Sequence, residues 1–136
     1  MANYAIGDIQ GCYDEFLRIL DTINFDSSSD KIWLSGDLVN RGPNSLKCLE
    51  LAYSIKEQCN IVLGNHDLHL MAVIEEVRNK NPNDTFEEIL LSDKKNLLMN
   101  WLSSLPLIHK DHLITETGEI EFIMTHAGIP PHWSLD

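Results

Sequence analysis

Three oxygen-bearing side chains recur at one kind of junction. Asp8, Asp37 and Asn65 each follow a glycine, and each glycine comes at or just after an apolar, β-prone run. At positions 8, 37 and 65 they stand 29 and 28 residues apart, about one strand-helix-strand unit each. In a parallel sheet the C-terminal strand ends gather at one edge, where ligands bind. The spacing therefore brings three oxygens together. Hard divalent cations favour carboxylate and amide oxygens, and imidazole suits Zn, Fe or Mn. His126 follows the β-prone run Phe122-Ile123-Met124 and precedes Ala127-Gly128, and could supply that nitrogen. One Gly-Asp after a strand is an ordinary turn. Three such junctions, with Arg41-Gly42 and His66-Asp67 beside two of them, read as a site.

The runs that must position these groups are Tyr4-Ala5-Ile6, Ile32-Trp33-Leu34 and Ile61-Val62-Leu63. Their unbroken apolar character predicts strands buried on both faces. Between them, Phe16, Leu20 and Ile23, then Leu46, Leu49 and Tyr53, recur with a helical period. Asn44 or Ser45 could cap the second helix. This alternation predicts an α/β fold with a parallel sheet and right-handed crossovers. Leu70, Met71, Ile74 and Val77 predict a third helix, and the stretch 79–84 a loop. Thr85 and Glu88 have the spacing of a capping box. Leu97, Leu98, Trp101, Leu102 and Leu105 predict an amphipathic core helix stopped by Pro106. The segment 113–129 reads as a hairpin around Glu116-Thr117-Gly118, ended by Pro130-Pro131.

The 136 residues suit one domain, and 43% apolar composition excludes a disordered chain. Acidic residues outnumber basic ones 21 to 10, for a net charge of −11. That balance argues against a basic nucleic-acid-binding module and against attraction to anionic lipid. No run approaches a membrane span, and the N-terminus has no signal-peptide pattern. Cys12, Cys48 and Cys59 form no C-x-x-C. A cytoplasmic chain with reduced thiols is the expectation.

Gly7-Asp8-Ile9-Gln10-Gly11, Gly36-Asp37-Leu38-Val39-Asn40-Arg41-Gly42, Gly64-Asn65-His66-Asp67 and His126-Ala127-Gly128 resemble the ordered motifs of the phosphoprotein-phosphatase-type metallophosphoesterases. The longer stretches 64–70 and 125–133 are similar to a narrower group, the bacterial symmetrical diadenosine tetraphosphatases. The resemblance implies a calcineurin-like β-sandwich flanked by helices. It implies two divalent ions, of Mn, Co, Fe or Zn, with Asp37 between them, Asp8 on the first, and Asn65 and His126 on the second. His66 would protonate the leaving oxygen, and Arg41 would bind phosphate. Two such ions outweigh two carboxylates, and charges beyond ~8 Å are screened. The net charge of the chain is therefore no bar to a polyphosphate.

Three departures stand out. The family's first motif usually has His where this chain has Gln10, a weaker metal donor. Protein phosphatases have Asp where this chain has Asn40, which could orient His66 without stabilising its charged form as strongly. The family also draws a further metal-binding His, and part of its second sheet, from sequence well beyond residue 136. Residues 1–136 therefore read as the N-terminal part of a single, incomplete metallophosphoesterase domain. An open sheet edge would then favour self-association.

The expected reaction is hydrolysis of diadenosine tetraphosphate to two ADP, with nucleoside-capped RNA as a chemically similar substrate. The alternatives are a phosphoprotein Ser/Thr phosphatase and a non-catalytic fragment that binds metal or nucleotide. Asp67 and Ala127 stand where protein phosphatases have Glu and Gly, which favours the dinucleotide reading. Asp67 reads as a helix N-cap with a role at the site. His69 reads as a structural histidine, His109 and His112 as solvated loop residues, and Cys12 as a small buried residue. His132 and Trp133 could stack on a base or simply pack. Glu75-Glu76 and Glu87-Glu88 read as solvated helix faces.

Overall fold

The computed structural model describes residues 1–134. Strands β1 (Asn3–Ile6), β2 (Lys31–Leu34) and β3 (Cys59–Ile61) form one parallel sheet in the order β1-β2-β3. Ile6 pairs with Leu34 and Leu34 with Ile61, so the strand ends lie side by side. Helix α1 (Tyr13–Thr22) connects β1 to β2, and α2 (Ser45–Ser54) connects β2 to β3. Then follow α3 (Asn65–Ile74), α4 (Glu87–Leu91) and α5 (Lys95–Ser103), and a hairpin of β4 (Ile108–Thr115) and β5 (Gly118–Thr125). The core gathers Phe16, Leu34, Leu49, Leu70, Phe86 and Leu102, all buried. It lies where the helices cover the parallel sheet.

The hairpin forms a second layer. The Trp33 and Phe122 rings meet edge-on at 5.7 Å. Asp111 Oδ2 accepts hydrogen bonds from Trp33 Nε1 and Asn60 Nδ2, both at 3.1 Å. One β4 carboxylate thus ties the hairpin to two strands of the sheet. Burial pushes this carboxyl up, but the His112 N–H, the His109 ring and the Trp33 indole together hold it below the usual range.

Several expectations change. β1 is not buried on both faces; its residues alternate between exposed and half-buried, because it is an edge strand. The third strand is Cys59–Ile61 rather than 61–63. Leu63 N–H instead donates to Pro106 O at 2.9 Å. Asn44 occupies the N-cap of α2 but makes no side-chain cap bond; the Ser45 hydroxyl accepts from Asn40 N–H at 2.8 Å. The Thr85–Glu88 capping box does not form, because Thr85 turns its N–H and hydroxyl to Asn40 Oδ1. Val77 lies beyond α3 and is exposed, as is Leu97; Leu98 and Leu102 carry the buried stripe of α5. The hairpin starts at Ile108, so His109 and His112 lie on β4 rather than in a loop. Cys12 is half-buried at the N-cap of α1.

Candidate metal centre

Each expected ligand sits where a strand of the first layer ends, or where β5 ends. Asp8 follows β1, Asp37 follows β2, Asn65 opens α3 after β3, and His126 follows β5. Ligand atoms of Asp8, Asp37 and His126 all lie within 4.8 Å of one another. Asp37 is buried and Asp8 half-exposed.

The hydrogen bonds define what His126 offers. Its Nδ1 lies 2.8 Å from the Ser35 carbonyl oxygen, which can only accept. Nδ1 therefore carries a proton, and in the neutral ring Nε2 offers its lone pair. Nε2 faces Asn65 Oδ1 at 3.1 Å and Asp37 Oδ2 at 3.4 Å. With the ring neutral, three lone-pair atoms converge here, an arrangement suited to a cation. Two carboxylates, a carboxamide oxygen and an imidazole nitrogen are a fitting donor set for a divalent transition ion.

The backbone is bent around this point. Gln10, Asp37, Asn40 and Arg41 all adopt positive φ, between 47° and 74°, which is uncommon for residues with side chains and concentrates at functional sites. Gly64 has ordinary φ, but a Cβ there would overlap the Asp37 carboxylate. The glycine permits this close approach of α3. Asp67 is the brace beneath. It is not the N-cap of α3, a place taken by Gly64. Its fully buried carboxylate accepts from the N–H groups of Asp37 and Leu38, both at 2.8 Å, and of Gly64 at 2.9 Å. Burial pushes its pKa up to about 6 against the pull of those donors.

Gln10 turns its amide nitrogen, not its oxygen, toward Asp8 Oδ2 at 3.4 Å. His66 N–H donates to Asp37 Oδ1 at 2.8 Å, so Asn65 and His66 share the first turn of α3 against the buried aspartate. Beside them lies a polar cavity of about 410 Å³, lined by Asn40, Arg41, His66, His69, Arg78 and Asp84 among others. His69 is held by Asp84 at 2.7 Å. Burial pushes the Asp84 carboxyl up, yet the His69 ring, the Asn81 N–H and the Asn40 amide hold it below the usual carboxylate range. Arg78 and Asp84 are additions to the expected set. Arg78 carries one visible signal, as one of only three arginines in the chain. Nothing local to the 79–84 loop singles out Asp84. On the other side, exposed Trp133 lines an apolar groove with Leu68, Asn65 and His126. The thiols of Cys48 and Cys59 are both pushed up to about 12 by burial, which keeps them protonated and inert.

Residues 4–136 match the calcineurin-like phosphoesterase family. The symmetrical bis(5′-nucleosyl)-tetraphosphatase of Cellvibrio japonicus is 48% identical over 136 residues, all of this chain and 48% of that protein. Its counterpart from Chromohalobacter salexigens is 45% identical over 135 residues, 99% of this chain and 47% of that protein. The chain spans about half the length of the curated relatives it matches. The crystal structure of a metallophosphoesterase from Sphaerobacter thermophilus aligns with a TM-score of 0.58 at 25% identity, over 80% of this chain and 42% of that one. A parallel sheet ending in carboxylates, a hairpin layer that delivers one histidine, and these matches agree: the chain belongs to the calcineurin-like phosphoesterase family.

Proposed function

We propose that this site hydrolyses the phosphoanhydride chain of dinucleoside polyphosphates, converting diadenosine tetraphosphate to two ADP. The observation that carries the reading is the convergence of Asp8, Asp37, Asn65 and His126 beside a cavity that holds Arg41 and Arg78. The relatives named as symmetrical tetraphosphatases support it. Asp37, with Asp8 on one side and Asn65 and His126 on the other, would hold two divalent cations, of Mn, Co, Fe or Zn. Such ions make hydroxide available near neutral pH and stabilise phosphoryl charge.

The protein's own groups divide the remaining work. Arg41 presents a planar fork to phosphate oxygens. His66, on the cavity wall, offers a ring N–H to the leaving oxygen. Arg78 adds a second cation for the rest of the phosphate chain. Trp133 offers a ring face on which a base can stack. Nucleoside-capped RNA ends carry the same linkage and are a further substrate class. No helix among the described residues is long and apolar enough to cross a membrane.

The test is to incubate the chain with diadenosine tetraphosphate and Mn²⁺ or Co²⁺ and to resolve the products by chromatography. ADP alone supports the reading, whereas ATP plus AMP contradicts symmetrical cleavage. Turnover by a longer version but not by this chain would instead favour a non-catalytic metal- or nucleotide-binding fragment.

A further inference from the structure

One carboxylate joins three walls of the polar cavity. Asp84, whose side chain is 5% exposed, accepts at Oδ2 from the His69 ring and from Asn81 N–H, both at 2.7 Å. Its Oδ1 accepts from Asn40 Nδ2 at 2.9 Å. The Asn40 amide cannot flip, because its own Oδ1 already accepts from the N–H groups of Arg41 and Thr85, each at 3.0 Å. Asn40 and Arg41 are consecutive residues at φ 74° and 66°. Residues with side chains keep such a left-handed pair only where their surroundings fix it, and here Asp84 and Thr85 do so through the Asn40 amide. The segment 76–85 is thereby fastened at both ends. Val77 and Arg78 donate their N–H groups to Ala72 O at 3.0 and 3.1 Å, and Asp84 ties the far end to α3 and to the loop that carries Arg41. Arg41 and Arg78 line the same cavity.

We propose that Asp84 is a positioning residue that aligns Arg41 and Arg78 on one phosphate chain. The inference rests on the phosphate-binding part of the reading above and goes beyond it, because Asp84 itself repels the ligand. Burial pushes its carboxyl up, but the His69 ring, the Asn81 N–H and the Asn40 amide hold it below the usual carboxylate range, so it is an anion at neutral pH. An anion beside a polyphosphate is unfavourable in direct electrostatics. What the carboxylate holds in place accounts for its presence. A guanidinium fork grips phosphate oxygens only when it is presented in the right orientation, and two forks act together only when both reach the same chain. A bare charge in the cavity wall and a positioning residue therefore differ in sign: removing the first tightens phosphate binding, and removing the second loosens it.

The test removes that charge at constant size. Asp84→Asn keeps one oxygen for His69 and Asn81 N–H, but sets an NH₂ against Asn40 Nδ2. In calorimetric titrations with Mn²⁺ present, it should bind pyrophosphate about tenfold more weakly, the loss of roughly one charge-assisted contact. Mn²⁺ itself should bind as in the unaltered chain. Arg78→Ala should weaken pyrophosphate binding far less in the Asp84→Asn background than alone, because both changes remove the same alignment. Unchanged or tighter pyrophosphate binding in Asp84→Asn, additive losses in the double variant, or a parallel loss of Mn²⁺ binding overturns the inference. So does an unaltered chain that binds no pyrophosphate. Where Asp84→Asn does not fold, amide exchange in the unaltered chain decides: slow exchange of the Asn81 and Thr85 N–H groups supports the fastening, and exchange at the rate of a free loop overturns it. None of these measurements needs turnover. A chain that shows the expected binding pattern yet leaves diadenosine tetraphosphate intact loses the hydrolase reading and keeps the inference.

Discussion

Asp67 lines neither of the cavities beside the candidate centre, yet it braces the backbone of Asp37 within it. Its two oxygens accept three backbone N–H groups, and two of those belong to Asp37 and Leu38. Asp67→Asn would set an amide NH₂ against at least one of these donors. A buried donor left unsatisfied costs about 1–3 kcal/mol. Urea denaturation should show a loss of that size, with the midpoint shifted and the slope unchanged. Gly64→Ala should lose stability as well, because the added methyl meets the Asp37 carboxylate. Calorimetric titration with Mn²⁺ should show weaker binding in Gly64→Ala than in the unaltered chain. Neither role could be read from the motif letters. The convergence of Asp8, Asp37, Asn65 and His126 was legible because each follows a recognisable β-prone run. The buried Asp67 carboxylate acts through loop N–H groups 29 and 30 positions away, a pairing that no local pattern encodes.

Among the elements, the parallel sheet was the most legible part, because three apolar runs spaced by helices leave little choice of topology. What local patterns missed was competition for the same atoms. Thr85 has the spacing of a capping residue, but Asn40 Oδ1 takes its N–H and hydroxyl. Ser45, the other candidate cap of α2, yields in the same way, as its hydroxyl serves Asn40 N–H rather than the α2 terminus. The hairpin shows the functional cost of losing such a tie. It delivers His126 to the centre, and Asp111 fastens it to Trp33 and Asn60. The Asp111 carboxyl is held below its ordinary value in the folded protein. A depressed carboxylate stabilises the fold at pH values above the unfolded pKa, ~3.9. That contribution disappears as pH falls through the lower, folded value. Thermal unfolding followed from pH 6 to pH 2 should show a steep loss below about pH 4, and Asp111→Asn should flatten that part of the curve. The His126 ring should also lose protection in the variant, as the hairpin's hold on the sheet loosens.

At the scale of the whole molecule, the two cations of the cavity and the exposed strands matter more than the net charge. Arg41 and Arg78 line one cavity in a chain of net charge −11. Arg78→Ala should weaken binding of ADP in the presence of Mn²⁺ by about tenfold, as loss of one charge-assisted contact of ~1.5 kcal/mol implies. Lysine at that position should restore part of it. A second groove is apolar. Tyr4, Trp33, Phe122 and Met124 line a groove of about 470 Å³ beside the edge strand β1, and Ile114 and Ile120 are exposed on the hairpin. Ala2 O and Ile6 O accept bonds from Lys31 N–H and Ser35 N–H. By the alternation of a strand, the backbone groups of Asn3 and Ala5 then point away from β2. An outward row of unpaired N–H and C=O groups beside an apolar groove is a template for a second strand. Sedimentation equilibrium should therefore show association that grows with concentration. Ala5→Pro removes an outward N–H without touching the bonds to β2, and should shift that equilibrium toward the monomer. A chain that sediments as a monomer at every concentration would show that the exposed edge of β1 is protected by its own twist and short length.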